Sequence, residues 1–325
     1  NGFIVSREQN YQLELRSGIC CVEDSDASDI NSLLDRANMA LKTIKVKGAA
    51  QWKFYDHTMR DKLLREKDLE IRMEKALADG EFLVYIQPKY WVGTRALAGG
   101  EALVRWKSPD QGFLSPGEFI PLFEKNRFIV KLDQFMFTSV CGLLRQWLDA
   151  GIEPRPLSVN VSRMQFHTPD FVERYIRIKS QYAIPDGLLE LEFTESIFFD
   201  NVALLSSAVH ELRRAGIKCS IDDFGAGYSS LNVLKALPVS VLKLDGMFFR
   251  TAKDDEQAKI VIRNIMRMAG ELKMATVAEG VETHEQVAFL ETTGCDIIQG
   301  YVFARPMPAA EFTELLAGEG GHAER

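Results

Sequence analysis

Two adjacent carboxylates, Asp222 and Asp223, lie where the predicted strand Lys218–Ile221 gives way to a glycine-rich loop. Like charges on neighbouring residues repel each other, and the repulsion grows when the residues leave water. A chain tolerates such a pair in a solvated turn or beside a bound cation. The pair alone therefore leaves both interpretations open, and the residues that surround it in the fold must decide between them.

Polar side chains also occur at or near the C-terminal ends of most other predicted strands. These residues are Glu101, Asn160, Glu192, Lys243, Glu279 and Gln299. Taken singly, each of these residues is explained by an ion pair at the rim of the sheet or by a hydrogen bond at the end of its strand. A single placement rule accounts for all of them, however, because strand ends converge on one face of a barrel. The shared rule favours a common site over separate structural roles.

Oxygen donors dominate this set, and they suit hard divalent cations. The four candidate ligands of one ion are Glu101, Asn160, Glu192 and Asp222. Asp223 and Glu279 are candidates for a second ion, with Asp222 as the bridge. Two cations about 4 Å apart are typical of phosphodiester hydrolysis. Lys243 would add positive charge and orient or activate the water.

The same pattern leaves a second chemistry open, a metal-dependent lyase or racemase in which Lys243 abstracts a proton. Such enzymes need a sizeable domain that covers the barrel, and residues 1–61 are too few for one. A second carboxylate-bound cation position at Asp223 would also speak against it. Hydrolysis is the preferred interpretation.

Composition excludes several classes of protein. The chain has 325 residues, 46% hydrophobic and 26% charged, and a net charge of −7, which disfavours binding to a nucleic-acid polymer. Its five cysteines are scattered without a CxxC pair, so we expect neither a disulfide framework nor structural zinc. No apolar run approaches the ~20 residues of a membrane span. We expect a cytoplasmic segment without membrane contact, and a membrane tether upstream stays open.

The chain from Phe82 onward alternates short strands with helices, which predicts a (β/α)8 barrel or a doubly wound sheet. The predicted strands are Phe82–Gln87, Ala98–Val104, Leu157–Val161, Leu188–Phe193, Lys218–Ile221, Val239–Leu244, Ala275–Ala278 and Ile297–Val302. The predicted helices include Pro116–Lys125, Val130–Ala150, Val202–Ala215 and Gln257–Lys273. The length of this region suits a barrel.

The N-terminal region has a different, α+β pattern. Its predicted elements are a strand over Tyr11–Val22, a helix over about Asp26–Lys47, a strand over Gln51–Tyr55 and a charged helix over His57–Gly80. We predict a partial domain with a linker over residues 1–61, the barrel over 62–317 and a flexible tail over 318–325.

Motifs across residues 62–317 resemble those of the EAL family of cyclic di-GMP phosphodiesterases. In family order they are Gln87-Pro88, Glu101-Ala102-Leu103 with Arg105, Asn160-Val161-Ser162, Glu192-Phe193-Thr194-Glu195, Asp222-Asp223-Phe224-Gly225, Lys243-Leu244-Asp245, Glu279-Gly280-Val281-Glu282 and Gln299-Gly300-Tyr301. No motif acid is missing. Ala226 stands where threonine is commoner, a change that leaves the carboxylates intact.

The resemblance implies a barrel with one antiparallel strand that opens cyclic di-GMP to linear pGpG with two Mg²⁺ or Mn²⁺ ions. It implies the cation ligands given above. It also implies that Lys243 and Gln299 position the water, and that the catalytic residues are Lys243, Gln299, Glu101 and Glu279. The residues that match substrate-contacting positions are Gln87, Leu103, Arg105 and Asp245. Glu195 matches the residue that steadies the loop after the twin aspartates, and glycines 225 and 227 make that loop a candidate switch. A homodimer through the barrel is also implied.

Residues 1–61 resemble the last third of a degenerate GGDEF domain, with Asn38 where aspartate is usual. The matching stretches are Arg16-Ser17-Gly18-Ile19, residues 33–41 and Trp52-Lys53-Phe54-Tyr55-Asp56. The loop that would bind GTP is absent from the sequence, so we expect no cyclase activity. The combined prediction is a phosphodiesterase that lowers the cyclic di-GMP level. A cyclic di-GMP receptor that signals through dimer geometry without turnover is the alternative.

Overall fold

The computed structural model describes residues 2–6, 9–13, 15–22, 29–44, 51–195, 197, 202–225, 238–251 and 255–320. These residues form two compact units, Asn1–Glu74 and Lys75–Arg325. The predicted division at residues 61 and 317 stays a prediction. Among the helices described, none is both long and apolar enough to cross a lipid bilayer.

The first unit contains two small sheets. Strands β1 (Gly2–Ser6) and β2 (Gln9–Leu13) pair antiparallel, whereas β3 (Ser17–Ile19) and β4 (Trp52–Phe54) pair in parallel. Helix α1 (Ile30–Lys42) connects β3 to β4. Helix α1 approaches β3 so closely that a Cβ on Gly18 would lie 1.9 Å from the Ala37 carbonyl oxygen. The single strand predicted over Tyr11–Val22 is therefore wrong, because β2 and β3 belong to different sheets.

Helix α1 is shorter than the predicted Asp26–Lys47, and residues 26–28 and 45–47 lie outside the described residues. Helix α2 (His57–Ala78) confirms the predicted charged helix. The resemblance of this region to a GGDEF domain stays a prediction.

The second unit is the predicted barrel. Its eight strands are β5 (Phe82–Trp91), β6 (Leu97–Ser108), β8 (Leu157–Asn160), β9 (Leu189–Thr194), β10 (Lys218–Phe224), β11 (Val241–Leu244), β12 (Ala275–Ala278) and β13 (Ile297–Ile298). Neighbours pair in parallel from β6 to β13, while β5 pairs antiparallel with β6 and β13 and closes the sheet. The TIM-like (β/α)8 fold with one antiparallel strand is confirmed.

Helices surround the strands on the outside. They are α3 (Pro116–Asn126), α4 (Ile129–Asp149), α5 (Phe171–Gln181), α6 (Val202–Arg214), α7 (Met247–Thr251), α8 (Glu256–Glu271), α9 (His284–Glu291) and α10 (Ala309–Gly320), with a 3₁₀ turn at Arg163–His167. Sequence fixes some ends directly: at α9, Thr283 and Gln286 form a reciprocal capping box. Helix α10 extends three residues into the predicted tail, and residues 321–325 lie outside the described residues.

Several predicted strand ends need correction: β5 runs past Gln87 to Trp91, and β10 runs past Ile221 to Phe224. The strand predicted over Ile297–Val302 ends at Ile298, because the chain turns there and Val302 N donates to the Val281 carbonyl oxygen. Strand β6 runs past Val104 to Ser108, since its extension forms a hairpin with β7 (Gly112–Leu114). Strand β14 (Met307–Pro308), which pairs with β5, was also absent from the sequence prediction.

Side chains alternate in character along the central strands. On β8, β9 and β10 the apolar set is fully buried: Leu157, Val159, Leu189, Leu191, Phe193, Cys219 and Ile221. The intervening residues are polar: Ser158, Asn160, Glu190, Glu192, Ser220 and Asp222. Because successive strand residues point to opposite faces, the apolar set belongs to one face of the sheet and the polar set to the other. The polar set shares hydrogen bonds and ion pairs, so it faces the barrel lumen.

Candidate active site

Four carboxylates of the lumen converge on the ammonium group of Lys243, which is fully buried. Lys243 Nζ lies 2.5 Å from Glu192 Oε2 and 2.6 Å from Glu279 Oε1. Asp222 Oδ1 and Glu101 Oε2 lie 3.0 and 3.6 Å from the same nitrogen. We call these five residues the acidic ring. They come from four strands and from the residue that follows β12, so the barrel fold brings together the strand ends as the sequence predicts.

Amide side chains fix the orientation of Glu101 within the ring. Asn160 Nδ2 donates to Glu101 Oε1 at 2.7 Å, and Gln299 Nε2 donates to Glu101 Oε2 at 2.6 Å. Gln299 Nε2 also donates to Gln87 Oε1 at 3.2 Å, and Gln87 in turn donates to the Ala304 carbonyl oxygen. Each carboxylate oxygen of Glu101 thus accepts a hydrogen bond from an amide side chain.

A bulge in β10 explains how two consecutive aspartates reach one site. Residues side by side on a strand normally point to opposite faces. The pairing of β10 with β11 shifts register between Ile221 and Phe224, and Asp223 has a left-handed φ of 52°. Bulges of this kind redirect side chains beside active sites. As a result, one oxygen each of Asp222, Asp223 and Glu279 lie within 4.8 Å of one another.

The two central charges of the ring stabilise each other. Burial by itself lowers the pKa of Lys243, but the surrounding carboxylates raise it well above its ordinary value. Burial also opposes ionisation of Glu192, but Lys243 and Lys89 overcome that effect and lower its pKa to about 2. Lys243 and Glu192 therefore form a buried ion pair at the centre of the lumen.

The remaining acids have too little positive charge around them. Burial raises the pKa of Glu101 and holds that of Glu279 well above its ordinary value, and nearby carboxylates act in the same direction. Burial and the charge of Asp222 raise the pKa of Asp223 to about 6. Such shifts indicate negative charge that the lysines of the lumen do not fully compensate. A bound cation would relieve it.

Two predicted substrate-contacting residues, Leu103 and Arg105, line a cavity of about 360 Å³ beside the ring. Asn160, whose amide group donates to Glu101 of the ring, also lines this cavity. The Arg105 guanidinium lies 5.6 Å from the centre of the Tyr85 ring, and its Nη1 donates to the Val104 carbonyl oxygen at 2.9 Å. Arg105 thus has a fixed position at the edge of the site.

Asp133, a buried carboxylate of α4, also lines this cavity, although the sequence pattern did not predict it. Its Oδ2 accepts hydrogen bonds from Ser162 N at 3.0 Å and Gln165 Nε2 at 3.3 Å. Burial raises the pKa of Asp133 to about 7 despite these hydrogen bonds. The sequence feature that could have predicted Asp133 is its place on the apolar face of a predicted helix, where a carboxylate is unusual.

Lys89 was missed as well, although it belongs to the lumen. It is only 6% exposed, and its Nζ donates to Ser158 Oγ at 2.7 Å and to Glu192 Oε1 at 3.0 Å. Lys89 lies two residues after Gln87 on β5, so the period of a strand places both on the same face. The two-residue period of a strand could therefore have predicted Lys89, because the sequence places Gln87 in the site.

Two further predicted residues lie near the twin aspartates. Asp245 Oδ1 accepts a hydrogen bond from Met247 N at 2.6 Å, and its charge contributes to the raised pKa of Asp223. Glu195 Oε2 accepts a hydrogen bond from Gly225 N at 3.2 Å, where the loop after β10 begins. The rest of the candidate switch, residues 226–230, lies outside the described residues. The roles of all these residues stay predictions.

Comparison with known proteins agrees with this geometry. The EAL domain family matches residues 71–306. The cyclic di-GMP phosphodiesterase NbdA of Pseudomonas aeruginosa is 34% identical over 292 residues, covering 90% of this chain and 37% of NbdA. The cyclic di-GMP phosphodiesterase PdeR of Escherichia coli is 32% identical over 287 residues, covering 88% of this chain and 43% of PdeR. The chain therefore spans less than half the length of these relatives.

A solved structure shows the same similarity in three dimensions. The PaMucR phosphodiesterase in its c-di-GMP complex superposes with a TM-score of 0.71 at 35% identity, over 75% of this chain and 99% of that one. The closed barrel, the ring at its strand ends and the sequence match agree, and the chain belongs to the EAL domain family.

Proposed function

We propose that this chain is a metal-dependent phosphodiesterase that hydrolyses cyclic di-GMP to linear pGpG, and that two divalent cations, Mg²⁺ or Mn²⁺, assist it. The observation that supports this most directly is the convergence of four of the five proposed acidic ligands on the ammonium group of Lys243. The relatives named as cyclic di-GMP phosphodiesterases support the choice of substrate.

The residues present fit hard cations. The donors are carboxylate and amide oxygens, and the pKa values of Glu101, Asp223 and Glu279 are raised by burial and by neighbouring negative charge. In the proposal, Glu101, Asn160, Glu192 and Asp222 hold one ion. Asp223 and Glu279 would hold the second ion together with Asp222, since one oxygen of each lies within 4.8 Å of the others. Divalent cations here would supply Lewis acidity toward a phosphoryl oxygen and lower the pKa of water.

The residues around the cations orient the other reactants. Gln299 Oε1 is buried and accepts no hydrogen bond from any residue that the structure describes, so it is available to a water molecule. The surrounding carboxylates favour the ammonium form of Lys243, which would place positive charge near the phosphoryl oxygens that carry negative charge in the transition state. Gln299 and Lys243 both contact Glu101, so water and phosphate would meet at the ring.

The cavity beside the ring is the proposed site for part of the nucleotide. Leu103 offers an apolar surface, and Arg105 places a guanidinium at its edge for a phosphate. This local positive charge matters because the chain as a whole has a net charge of −7. Gln87 and Asp245 complete the proposed substrate contacts.

One experiment separates the enzyme from a receptor. The purified chain is incubated with cyclic di-GMP and Mg²⁺ or Mn²⁺, and pGpG is measured by chromatography, with EDTA as the control. We expect pGpG only in the presence of a divalent cation. Tight binding of cyclic di-GMP without pGpG under either cation would refute hydrolysis and support the receptor.

The lyase or racemase alternative is less well supported. Asp223 lies close enough to Asp222 and Glu279 to offer a second cation position, which that chemistry does not require. The carboxylates around Lys243 favour its ammonium form, which cannot abstract a proton. The homodimer and the cytoplasmic location stay predictions. Light scattering on the purified chain tests the first of them.

A further inference from the structure

Lys89 has no role in the ligand set proposed above, although it lies inside the lumen. It comes from β5, the antiparallel strand that closes the barrel, and its ammonium group reaches Glu192 on β9. Strands β5 and β9 are not neighbours in the sheet, so this contact crosses the lumen. A buried lysine that spans a barrel to reach one carboxylate requires a physical explanation.

Lys89 and Lys243 contact different oxygens of the same carboxylate, that of Glu192. Lys243 Nζ lies 2.5 Å from Glu192 Oε2, and Lys89 Nζ lies 3.0 Å from Glu192 Oε1. The terminal torsion of a glutamate has a broad energy profile, so the side chain alone does not fix the plane of its carboxylate. Contacts on both oxygens fix that plane.

Lys89 is itself held in position. Lys89 Nζ donates to Ser158 Oγ at 2.7 Å, and Ser158 Oγ in turn donates to the Gly100 carbonyl oxygen at 3.4 Å. These contacts link β5 to β8 and β6, whose backbones cannot shift without breaking the barrel. The position of the Lys89 ammonium is therefore set by the sheet.

Charge compensation alone does not account for this arrangement. Glu190 also faces the lumen and is 8% exposed, and its charge contributes to the raised pKa of Lys89. Yet the hydrogen bond of Lys89 goes to Glu192, while Glu190 Oε1 accepts none from the residues that the structure describes. The contact is specific to the carboxylate that the proposed function makes a cation ligand.

We propose that Lys89 is a positioning residue that orients the carboxylate of Glu192 for the divalent cation. The inference rests on the proposed function, in which Glu192 is a ligand. Residues that orient metal ligands typically change metal affinity or activity by about 10–100-fold when they are replaced. Lys89 does not contact the proposed substrate cavity, so its effect should appear in cation binding and not in the KM for cyclic di-GMP.

The test is Lys89→Met, which keeps the length of the side chain and removes its charge. Mn²⁺ binding is measured without nucleotide, from the electron paramagnetic resonance signal of free Mn²⁺. We expect the Kd for Mn²⁺ to rise about 10–100-fold. At saturating Mn²⁺ the KM for cyclic di-GMP should equal that of the unaltered chain.

Two variants make the test specific. Ser158→Ala removes the second contact of Lys89 and should raise the Kd for Mn²⁺ by a smaller factor; it decides the matter if Lys89→Met does not fold. Lys179→Met is the control, because Lys179 is another buried lysine, whose partners are Asp186 and the Ala215 carbonyl oxygen, at the opposite end of the strands. It should lower stability without changing the Kd.

The outcomes separate this inference from the proposed function. An unaltered chain that neither binds Mn²⁺ nor forms pGpG refutes the proposed function. If the unaltered chain binds Mn²⁺, and Lys89→Met or a folded Ser158→Ala binds Mn²⁺ as tightly or more tightly, only the role of Lys89 is refuted. An equal loss of affinity in Lys179→Met would also overturn that role, because the effect would then be general.

Discussion

Replacing Lys243 by methionine should destabilise the cation-free protein strongly and make its stability depend on divalent cations. The substitution keeps the side-chain length but removes an ammonium group that lies within 3.6 Å of all four carboxylates of the acidic ring. Removing one partner of a buried ion pair typically costs about 3–5 kcal/mol. At about 2–4 °C per kcal/mol for a domain of this size, the melting temperature should fall by roughly 6–20 °C in EDTA.

A cation that binds the ring should recover much of this loss. Chemical denaturation is followed by circular dichroism in EDTA and in saturating Mn²⁺, for the unaltered chain and for Lys243→Met. We expect Mn²⁺ to stabilise the variant more than the unaltered chain, because the cation supplies the missing positive charge. Turnover should nevertheless stay at least about 100-fold lower, since loss of a charge-stabilising donor costs about that much.

Lys179→Met is the matched control for this prediction. Lys179 is also buried, but the side chain of its partner Asp186 is 78% exposed, so water can solvate the carboxylate when the lysine is lost. The control should lose less stability, and Mn²⁺ should not restore it selectively. The reasoning is refuted if Lys243→Met unfolds at the same denaturant concentration as the unaltered chain in EDTA. It is equally refuted if Mn²⁺ stabilises both proteins alike.

Three other changes test separate parts of the site. Glu101→Ala should abolish pGpG formation and leave the circular dichroism spectrum intact, because it removes a proposed ligand and not a core side chain; near-normal turnover would show that Glu101 is not a ligand. Asp223→Asn should reduce turnover far more than cyclic di-GMP affinity measured by calorimetry, and equal losses would contradict its assignment to the second ion. Asp133→Asn should change the pH dependence of stability. The pKa of Asp133 is about 3.8 in the unfolded chain and about 7 in the folded chain. Between these pH values the unfolded chain ionises Asp133 while the folded chain keeps its proton, so the stability of the folded chain falls as the pH rises. The total loss is roughly 4 kcal/mol. Denaturation of both proteins across this range measures the difference, and parallel curves would refute the raised pKa.

Local sequence pattern predicted most of the barrel. The alternation of strands and helices from Phe82 onward placed all eight barrel strands, because apolar strand residues and amphipathic helices leave clear periods in the sequence. The predicted strand ends are wrong where pairing with residues distant in the sequence decides where a strand ends. Strand β6 extends to Ser108 through its hairpin with β7, and β13 stops at Ile298 because the following residues bond to Val281. No local pattern contains that information.

Residue types at strand ends identified the acids of the site, since the barrel topology brings strand ends together whatever the rest of the sequence is. Asp133 and Lys89 were missed for a common reason. Each reaches the site from an element whose pattern looks structural, a helix and an antiparallel strand. Their partners, Ser162 and Glu192, are distant in the sequence.

The sequence by itself determined the eight barrel strands, the family-order motifs and the identity of the twin aspartates, because these depend on residue type and spacing. Tertiary structure decided what surrounds that pair. The bulge in β10 turns Asp222 and Asp223 toward one point, and Glu279, the residue that follows β12, lies beside them. It also placed Lys243 among the carboxylates, which changes their pKa values through burial and distance. Burial and distance are properties of the folded chain, so only the fold could decide them.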